Sequence, residues 1–289
     1  LVFLVDLGTN ERRTVELWYN PSGIGNPDYP VKTRSFDRWY TDGSNVAWEN
    51  EVIAYRSYNG VIDYFAKSYP HLRLQDLPPD SYHHERLWGL DPYAIGAKPG
   101  LGGIILFDGS LSEKLYGKGD GAKLTFRHRA SGDGAVCTEA VVEVLSGGKK
   151  RLETHYVLYA GRHDNEVIVI PEKNSSAVSV APGMQKFDGA IFVMDEQSGY
   201  CFSFGSSLEE YGTIATALVW NPGDALDVID DRDGTFIKLK PDAGGPVRYR
   251  SVAVWYRASA DQPTSSKAFE KYINELAQCF RNPVNISIR

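Results

Sequence analysis

The chain has 289 residues, 42% of them hydrophobic and 24% charged, which supplies enough apolar material for a buried core and is ordinary for a globular protein. A formal net charge of -6 and a pI near 5.6, with no block of Lys or Arg, exclude nucleic acid and anionic membrane surfaces as principal partners. No run of about 18 apolar residues occurs, so no helical membrane span is expected.

The chain opens Leu1-Val2-Phe3-Leu4-Val5, which reads as a strand rather than a signal peptide because the basic flank and small-residue cleavage site are missing. With no initiating Met, the expectation is a processed or truncated chain. Asn20 to Asn45 is rich in Pro, Gly, Asp and Asn and predicts a long ordered loop, a kind of segment that often carries function.

Trp48 to Tyr58 reads as one strand. A period of two then puts Trp48, Asn50, Val52, Ala54, Arg56 and Tyr58 on one face, and Glu49, Glu51, Ile53, Tyr55 and Ser57 on the other. A guanidinium fork and an indole plane on one face suit a planar carboxylate carried by a sugar ring. The plainer alternative is a cross-sheet salt bridge between Arg56 and a nearby carboxylate.

Asp80 to Tyr93 packs two adjacent histidines, carboxylates, two tyrosines, an arginine and Trp88 between glycine and proline. A core element does not tolerate that density of titratable groups without partners, so the segment is either solvated or faces a cleft. His83, His84 and Tyr82 supply proton-transfer groups, and Glu85 or Asp91 would orient an imidazole through its second nitrogen.

From about residue 100 the pattern predicts strands at Ile104–Phe107, Lys123–Arg129, Ala140–Leu145, Arg151–Tyr159, Val167–Ile170, Ala190–Met194, Ile214–Trp220 and Tyr249–Tyr256. Turns are expected at Ser131–Gly134, Ser146–Gly148, Asp164–Asn165, Asp231–Gly234 and Gly244–Pro246. Regular turn signals imply an all-β antiparallel sandwich, taken as a single domain over residues 1–289. One helix closes the chain behind Ser265-Ser266, with Phe269, Tyr272, Ile273, Leu276 and Phe280 at helical spacing and a charged outer face.

His155 alternates with Arg151, Glu153, Val157 and Tyr159 on a face too polar for plain core, which makes it a substrate-binding candidate. A metal would need further ligands beside His83 and His84, and His155 and His163 are the available ones. Adjacent histidines diverge in extended chain, so no metal is favoured and no cofactor is expected. Cys137, Cys201 and Cys279 lack metal-ligand spacing, and an odd count leaves no complete disulfide set. Gly100, Gly102 and Gly103 form no phosphate loop, since neither a helix nor a lysine follows in place.

Trp48-Glu49-Asn50-Glu51 with Ala54-Tyr55-Arg56-Ser57-Tyr58, followed by Tyr82-His83-His84, Gly89-Leu90-Asp91-Pro92-Tyr93-Ala94-Ile95-Gly96 and Gly102-Gly103, resembles an uncharacterised-domain family. That family occurs in polysaccharide-utilisation gene clusters of marine and gut bacteria, near pectin- and ulvan-processing enzymes. The ending, Tyr249 to Trp255 and then Phe269 to Leu276, is similar as well. The resemblance implies a galactose-mutarotase-like supersandwich, a secreted or periplasmic location and action on uronic-acid oligosaccharides by elimination or dehydration.

Elimination from a uronate removes the C5 proton, stabilises charge on the carboxylate and protonates the group leaving C4. The expected catalytic set is His83 or His84 as base, Tyr82 or Tyr93 as acid, and Arg56 on the carboxylate. Trp48, Asn50, Tyr58, Trp88 and His155 are expected to bind an oligosaccharide substrate. The competing expectations are a hydrolase pairing Glu49 or Glu51 with Asp91, an epimerase using His and Glu, and a binding module resting on Trp48.

Overall fold

The computed structural model describes residues 5, 7–8, 11–16, 29–37, 45–77, 82–119, 121, 123–172, 178–206, 211–241, 245–256 and 265–282. The strand expected at Leu1, most of the Asn20 to Asn45 loop and the start of the Asp80 segment lie outside those residues.

In chain order the strands are β1 (Thr33–Asp37), β2 (Asn45–Asn50), β3 (Ile53–Tyr58), β4 (Val61–Lys67), β5 (Gly89–Leu90), β6 (Leu101–Asp108), β7 (Leu111–Lys114), β8 (Leu124–Ala130) and β9 (Cys137–Ser146). They continue as β10 (Lys149–Tyr159), β11 (Asp164–Pro171), β12 (Val178–Gln185), β13 (Ile191–Asp195), β14 (Tyr200–Gly205), β15 (Ile214–Trp220), β16 (Ala225–Asp230), β17 (Gly234–Leu239) and β18 (Val247–Trp255), and α1 (Ser266–Arg281) follows. They build three antiparallel sheets, ordered β1-β2-β3-β4-β5, β13-β14-β15-β18-β11-β10-β9-β8 and β16-β17-β12-β6-β7. The expectation of an all-β sandwich with a C-terminal helix is met.

The eight-stranded sheet makes one layer, and the two five-stranded sheets pack together against its inner face. Alternation along β10 sorts this out: Leu152, Thr154, Tyr156 and Leu158 are buried inward, while Glu153, His155, Val157 and Tyr159 point away. Trp48, Tyr55 and Tyr64 of the first sheet, Tyr156, Val167 and Tyr249 of the second, and Ile104, Val180 and Phe236 of the third form one continuous core. The outer face of β14, β15 and β18 is covered by α1, whose Phe269, Ile273, Leu276 and Ala277 are buried on Phe202, Ala217 and Val254. Ser265 caps that helix by accepting from the Ala268 amide at 3.2 Å.

Three local expectations are corrected. Within the expected Asn20 to Asn45 loop, Thr33–Asp37 forms β1 and pairs with β2. Asp164 and Asn165 are the buried first residues of β11 rather than a turn. Trp48 to Tyr58 is a tight hairpin, β2 turning into β3, and not one strand. The turn is made by Asn50, whose Oδ1 accepts from the amides of Val52 and Ile53 at 2.9 Å each, the local bonding that lets Asn replace the usual Gly or Pro signal. Register Trp48↔Tyr55 and Ala47↔Arg56 then puts Trp48 and Arg56 on opposite faces of the sheet.

Candidate functional site

The Trp48 face is sealed. Trp48 is fully buried, stacks on Tyr55 and Tyr156 with ring centroids 5.8 Å and 4.9 Å apart, and donates from Nε1 to Asn165 Oδ1 at 2.7 Å. Asn50 spends its amide on the carbonyls of Tyr159 and Arg162 at 2.6 Å and 2.7 Å. Neither side chain is open to a sugar, so the expected Trp48–Asn50–Arg56 platform does not exist.

The Arg56 face is built differently. The Asn59-Gly60 turn has φ of 49° and 72° at its two residues, the left-handed pair that closes a two-residue hairpin. Its register pairs Arg56 with Asp63 across β3 and β4. Arg56 Nη2 lies 2.7 Å from Asp63 Oδ2, and the guanidinium carbon sits 4.6 Å, 5.3 Å and 5.2 Å from the rings of Tyr58, Phe65 and Tyr82. These ring contacts suit a weakly hydrated planar cation.

Residues 82–91 fold over this face as a loop whose ends clasp, the Asp91 amide donating to the Tyr82 carbonyl at 2.8 Å. Its tip is closed by mutual backbone bonds between Arg86 and Gly89 of 3.0 Å and 3.1 Å. Gly89 is obligatory, because its φ is +134° and a Cβ there would stand 1.8 Å from the Ala66 carbonyl oxygen. This close approach docks β5 on β4 and brings Asp91 under the Arg56 guanidinium. Asp91 Oδ2 is 3.9 Å from Arg56 Nη2 and 3.5 Å from His83 Nδ1, so the two sequence segments do meet.

Asp63 and Asp91 are both enclosed in the protein. Each also accepts from a backbone amide, Asp63 Oδ1 from Tyr64 at 2.8 Å and Asp91 Oδ1 from Tyr93 at 3.0 Å. Burial pushes both carboxyls above their ordinary range. For Asp63 the Arg56 charge opposes that rise, whereas for Asp91 the neighbouring Asp63 charge adds to it, and Asp91 ends well above. Burial alone would disfavour the Arg56 cation, but Asp63 and Asp91 hold it firmly protonated.

Partial burial lowers the His83 pKa against the pull of Asp63, which favours a neutral imidazole near neutral pH. More than half of the His83 side chain remains exposed, at 58%. Tyr82 packs edge-on against Phe65 at 5.7 Å and beneath His83 at 4.2 Å, and Tyr58 is partly buried with its hydroxyl held protonated by burial. His84 is exposed beside them.

Three further candidates do not join this group. Tyr93 is 2% exposed and packs on Tyr64 and Phe187, and Trp88 is buried in the small cluster of Phe65, Leu74 and Leu77. His155 faces outward from the eight-stranded sheet between Glu139 and Glu153, at 2.8 Å and 2.9 Å. Two sheet layers, about 10 Å apart, separate it from the outward face of Arg56. The Glu49 form of the hydrolase pairing also fails, since Glu49 is buried in an ion pair with Lys67 while accepting from the Arg73 and Leu74 amides at 2.9 Å and 3.0 Å.

Asp63 was not singled out by sequence reasoning, although the Asn59-Gly60 signal carries it: a two-residue loop places position 63 opposite position 56. Among the described residues no group of three or more His, Cys, Asp or Glu side chains is arranged for a metal ion. A separate concavity of about 340 Å³ lies at Leu106, Asp108, Glu113, Lys114 and Arg151, where Arg151 and Glu113 pair at 2.7 Å. No predicted site residue lines it.

Comparison with curated proteins finds no match to the chain. The model of a domain of unknown function, DUF4861, matches residues 1–286, and the chain belongs to that family.

Proposed function

We propose that the His83–Asp91–Asp63–Arg56 cluster is the acid–base centre of a carbon–oxygen lyase that acts on uronic-acid oligosaccharides by β-elimination. The observation that carries this reading is the convergence of His83 and Arg56, 27 positions apart in sequence, on one oxygen of the buried Asp91. Burial favours the neutral form of His83, more than half of the side chain is exposed, and its Nδ1 faces a carboxyl that orients it, as suits a base. In the step proposed, His83 takes the C5 proton, the C4–oxygen bond breaks as the C4–C5 double bond forms, and the Tyr82 phenol protonates the departing oxygen.

The role first assigned to Arg56 shifts. Its fork is held by Asp63, so the substrate carboxylate is met instead by the partly exposed donors Tyr58 and Tyr82, and Arg56 sets the charge of the layer beneath. The uronate class itself rests on the resemblance to proteins of pectin and ulvan utilisation clusters, with the mutarotase-like architecture and a secreted or periplasmic location belonging to the same proposal. A glycosidase using the buried pair is disfavoured, because carboxyls enclosed in the protein are not open to flank a glycosidic bond.

The test is incubation with a panel of uronate oligosaccharides, followed by ultraviolet absorbance and mass spectrometry. Elimination gives an absorbing conjugated double bond with chain cleavage or loss of water. Cleavage without absorbance, or no change across the panel, would overturn the proposal.

A further inference from the structure

Arg151 breaks the alternation of β10. The register of β10 with β9 pairs Lys150 with Leu145 and Leu152 with Val144, so Arg151 is the extra residue of a β-bulge. The bulge decides what each side chain meets. Lys150 Nζ reaches Glu153 and Glu143 on the outer face at 3.2 Å and 3.5 Å, and Leu152 is buried in the core. Arg151 turns to the third sheet, its Nε donating to Glu113 Oε2 of β7 at 2.7 Å. It therefore leaves the face on which strict alternation puts it beside Glu153 and His155. Bulges at sheet edges and beside binding sites re-aim side chains in this way.

Arg151 is aimed into the concavity of about 340 Å³, where the free edge of β7 meets the starts of β8 and β10. That volume is at the small end of ligand pockets, about 300–1,000 Å³, and suits one ring rather than a chain. Leu106, Leu111 and Leu124 give the lining an apolar part, with Leu111 standing 73% exposed. Around them are two carboxylates, Asp108 and Glu113, and two cations, Lys114 and Arg151, so the formal charges of the lining cancel. The Arg151 and Glu113 side chains are 25% and 26% exposed, and among the described residues neither Nη group of Arg151 and no atom beyond Oε2 of the Glu113 carboxylate is bonded.

Carboxylates only accept and guanidinium and ammonium groups only donate, so a ligand that satisfies both kinds must do both itself. Hydroxyls do, and two on adjacent ring carbons match the fork of a guanidinium or the edge of a carboxylate. A charged ligand fits less well. A carboxylate here would face Asp108 and Glu113, and Asp233, 3.9 Å from Lys114, tips the surroundings further against an anion. An ammonium would face Lys114 and Arg151.

We propose that this concavity is a second saccharide site, sharing no residue with the His83 cluster, and that it takes one neutral pyranose. Vicinal hydroxyls meet the Arg151–Glu113 pair, and the C–H face of the ring lies on Leu106, Leu111 and Leu124. The assignment does not depend on the elimination reading.

Nitrogen-15-labelled protein titrated with glucose, galactose, mannose and xylose tests it, with galacturonate and glucuronate as charged counterparts. At least one neutral sugar should shift the amides of Leu111 to Lys114 and the Nε resonance of Arg151, and the uronates should shift them less. Arg151→Lys keeps the charge but loses the fork and should weaken binding by about tenfold, the worth of one hydrogen bond to a charged group. Leu111→Ala changes an exposed side chain, so the fold is retained, and it should weaken binding as well. Silence of these signals toward all four neutral sugars in the unmodified protein, which requires no variant to fold, would overturn the proposal. A stronger response to a uronate than to any neutral sugar would do the same, as would binding that neither substitution weakens.

Discussion

His83 Nδ1 lies 3.5 Å from Asp91 Oδ2, the oxygen that Arg56 approaches from the sheet side at 3.9 Å. The imidazole is thus the exposed end of a row of titratable groups that runs inward from Asp91 to the Arg56 guanidinium, packed among aromatic rings, and on to Asp63. His84, its neighbour, points to solvent and has no place in that row.

The adjacent histidines should accordingly differ in a direct comparison. His83→Gln removes the base of the proposed elimination and is expected to lower kcat/KM by about 10²–10⁴-fold, the usual contribution of a positioned proton-transfer group. His84→Gln should fall within a few-fold of the parent. Initial rates of absorbance increase on a uronate oligosaccharide make the comparison, and equal losses in both variants would remove His83 from the base position.

Trp48 separates the sealed face from the open one. Trp48→Ala should cost about 3–5 kcal/mol of stability, the range for emptying a large buried aromatic site, because it also strips the stacking partners Tyr55 and Tyr156 and takes the indole donor from Asn165 Oδ1. Denaturant unfolding reads that loss, and oligosaccharide affinity per folded molecule should not move. A folded Trp48→Ala protein with abolished affinity would restore the binding-platform reading.

How the sequence misled at this point is instructive. Period-two parity is sound within a strand, but Asn50 reverses the chain with a side-chain cap, using neither Gly nor Pro, and the reversal changes the parity. Even-numbered residues of β2 then share a face with odd-numbered residues of β3, and Trp48 parts from Arg56. The strands β6, β8, β9, β10, β11, β13, β15 and β18 and the helix α1 were legible because alternation or helical spacing ran between clear turn signals, whereas β7, β12, β14, β16 and β17 were not read from the sequence. The meeting of the Tyr82 loop with Arg56 was legible only as a possibility of chemistry, since it depends on the Gly89 approach to Ala66, a contact no local pattern encodes. Asp63 was legible through Asn59-Gly60, whose fixed register carries one residue to its partner.

The Glu49–Lys67 pair should behave as structure and not as chemistry. Burial lowers the Lys67 pKa while Glu49 opposes the shift, and Lys67 also donates to the carbonyls of Asn50 and His71 at 2.6 Å and 2.7 Å. Lys67→Met leaves Glu49 as a buried uncompensated charge and is expected to cost about 3–5 kcal/mol. Adding Glu49→Gln removes that charge yet keeps an acceptor for the Arg73 and Leu74 amides, so the double variant should be more stable than Lys67→Met alone. Chemical denaturation of both tests this, and a double variant no better than the single would count against charge burial as the cause.

His163 sets a limit on acid stability. Its carbonyl accepts from the Tyr55 hydroxyl at 2.5 Å, and burial lowers its imidazole pKa to about 4 despite the nearby Asp164. The folded protein therefore resists protonating this ring, while the unfolded chain takes up the proton near the ordinary value of about 6.5. The sign follows from linkage: the contribution is fully present above about pH 6.5 and is lost as the pH falls toward about 4, by at most about 3 kcal/mol. Asp164 works in the same direction, since burial would raise its pKa but Arg250 and Arg162 overcome that and hold it low, so its contribution disappears under still more acidic conditions. Measuring unfolding free energy from pH 7 to pH 4 in the parent and in His163→Gln checks the assignment. The variant should have a shallower slope over that window, and parallel curves would show that acid lability originates elsewhere.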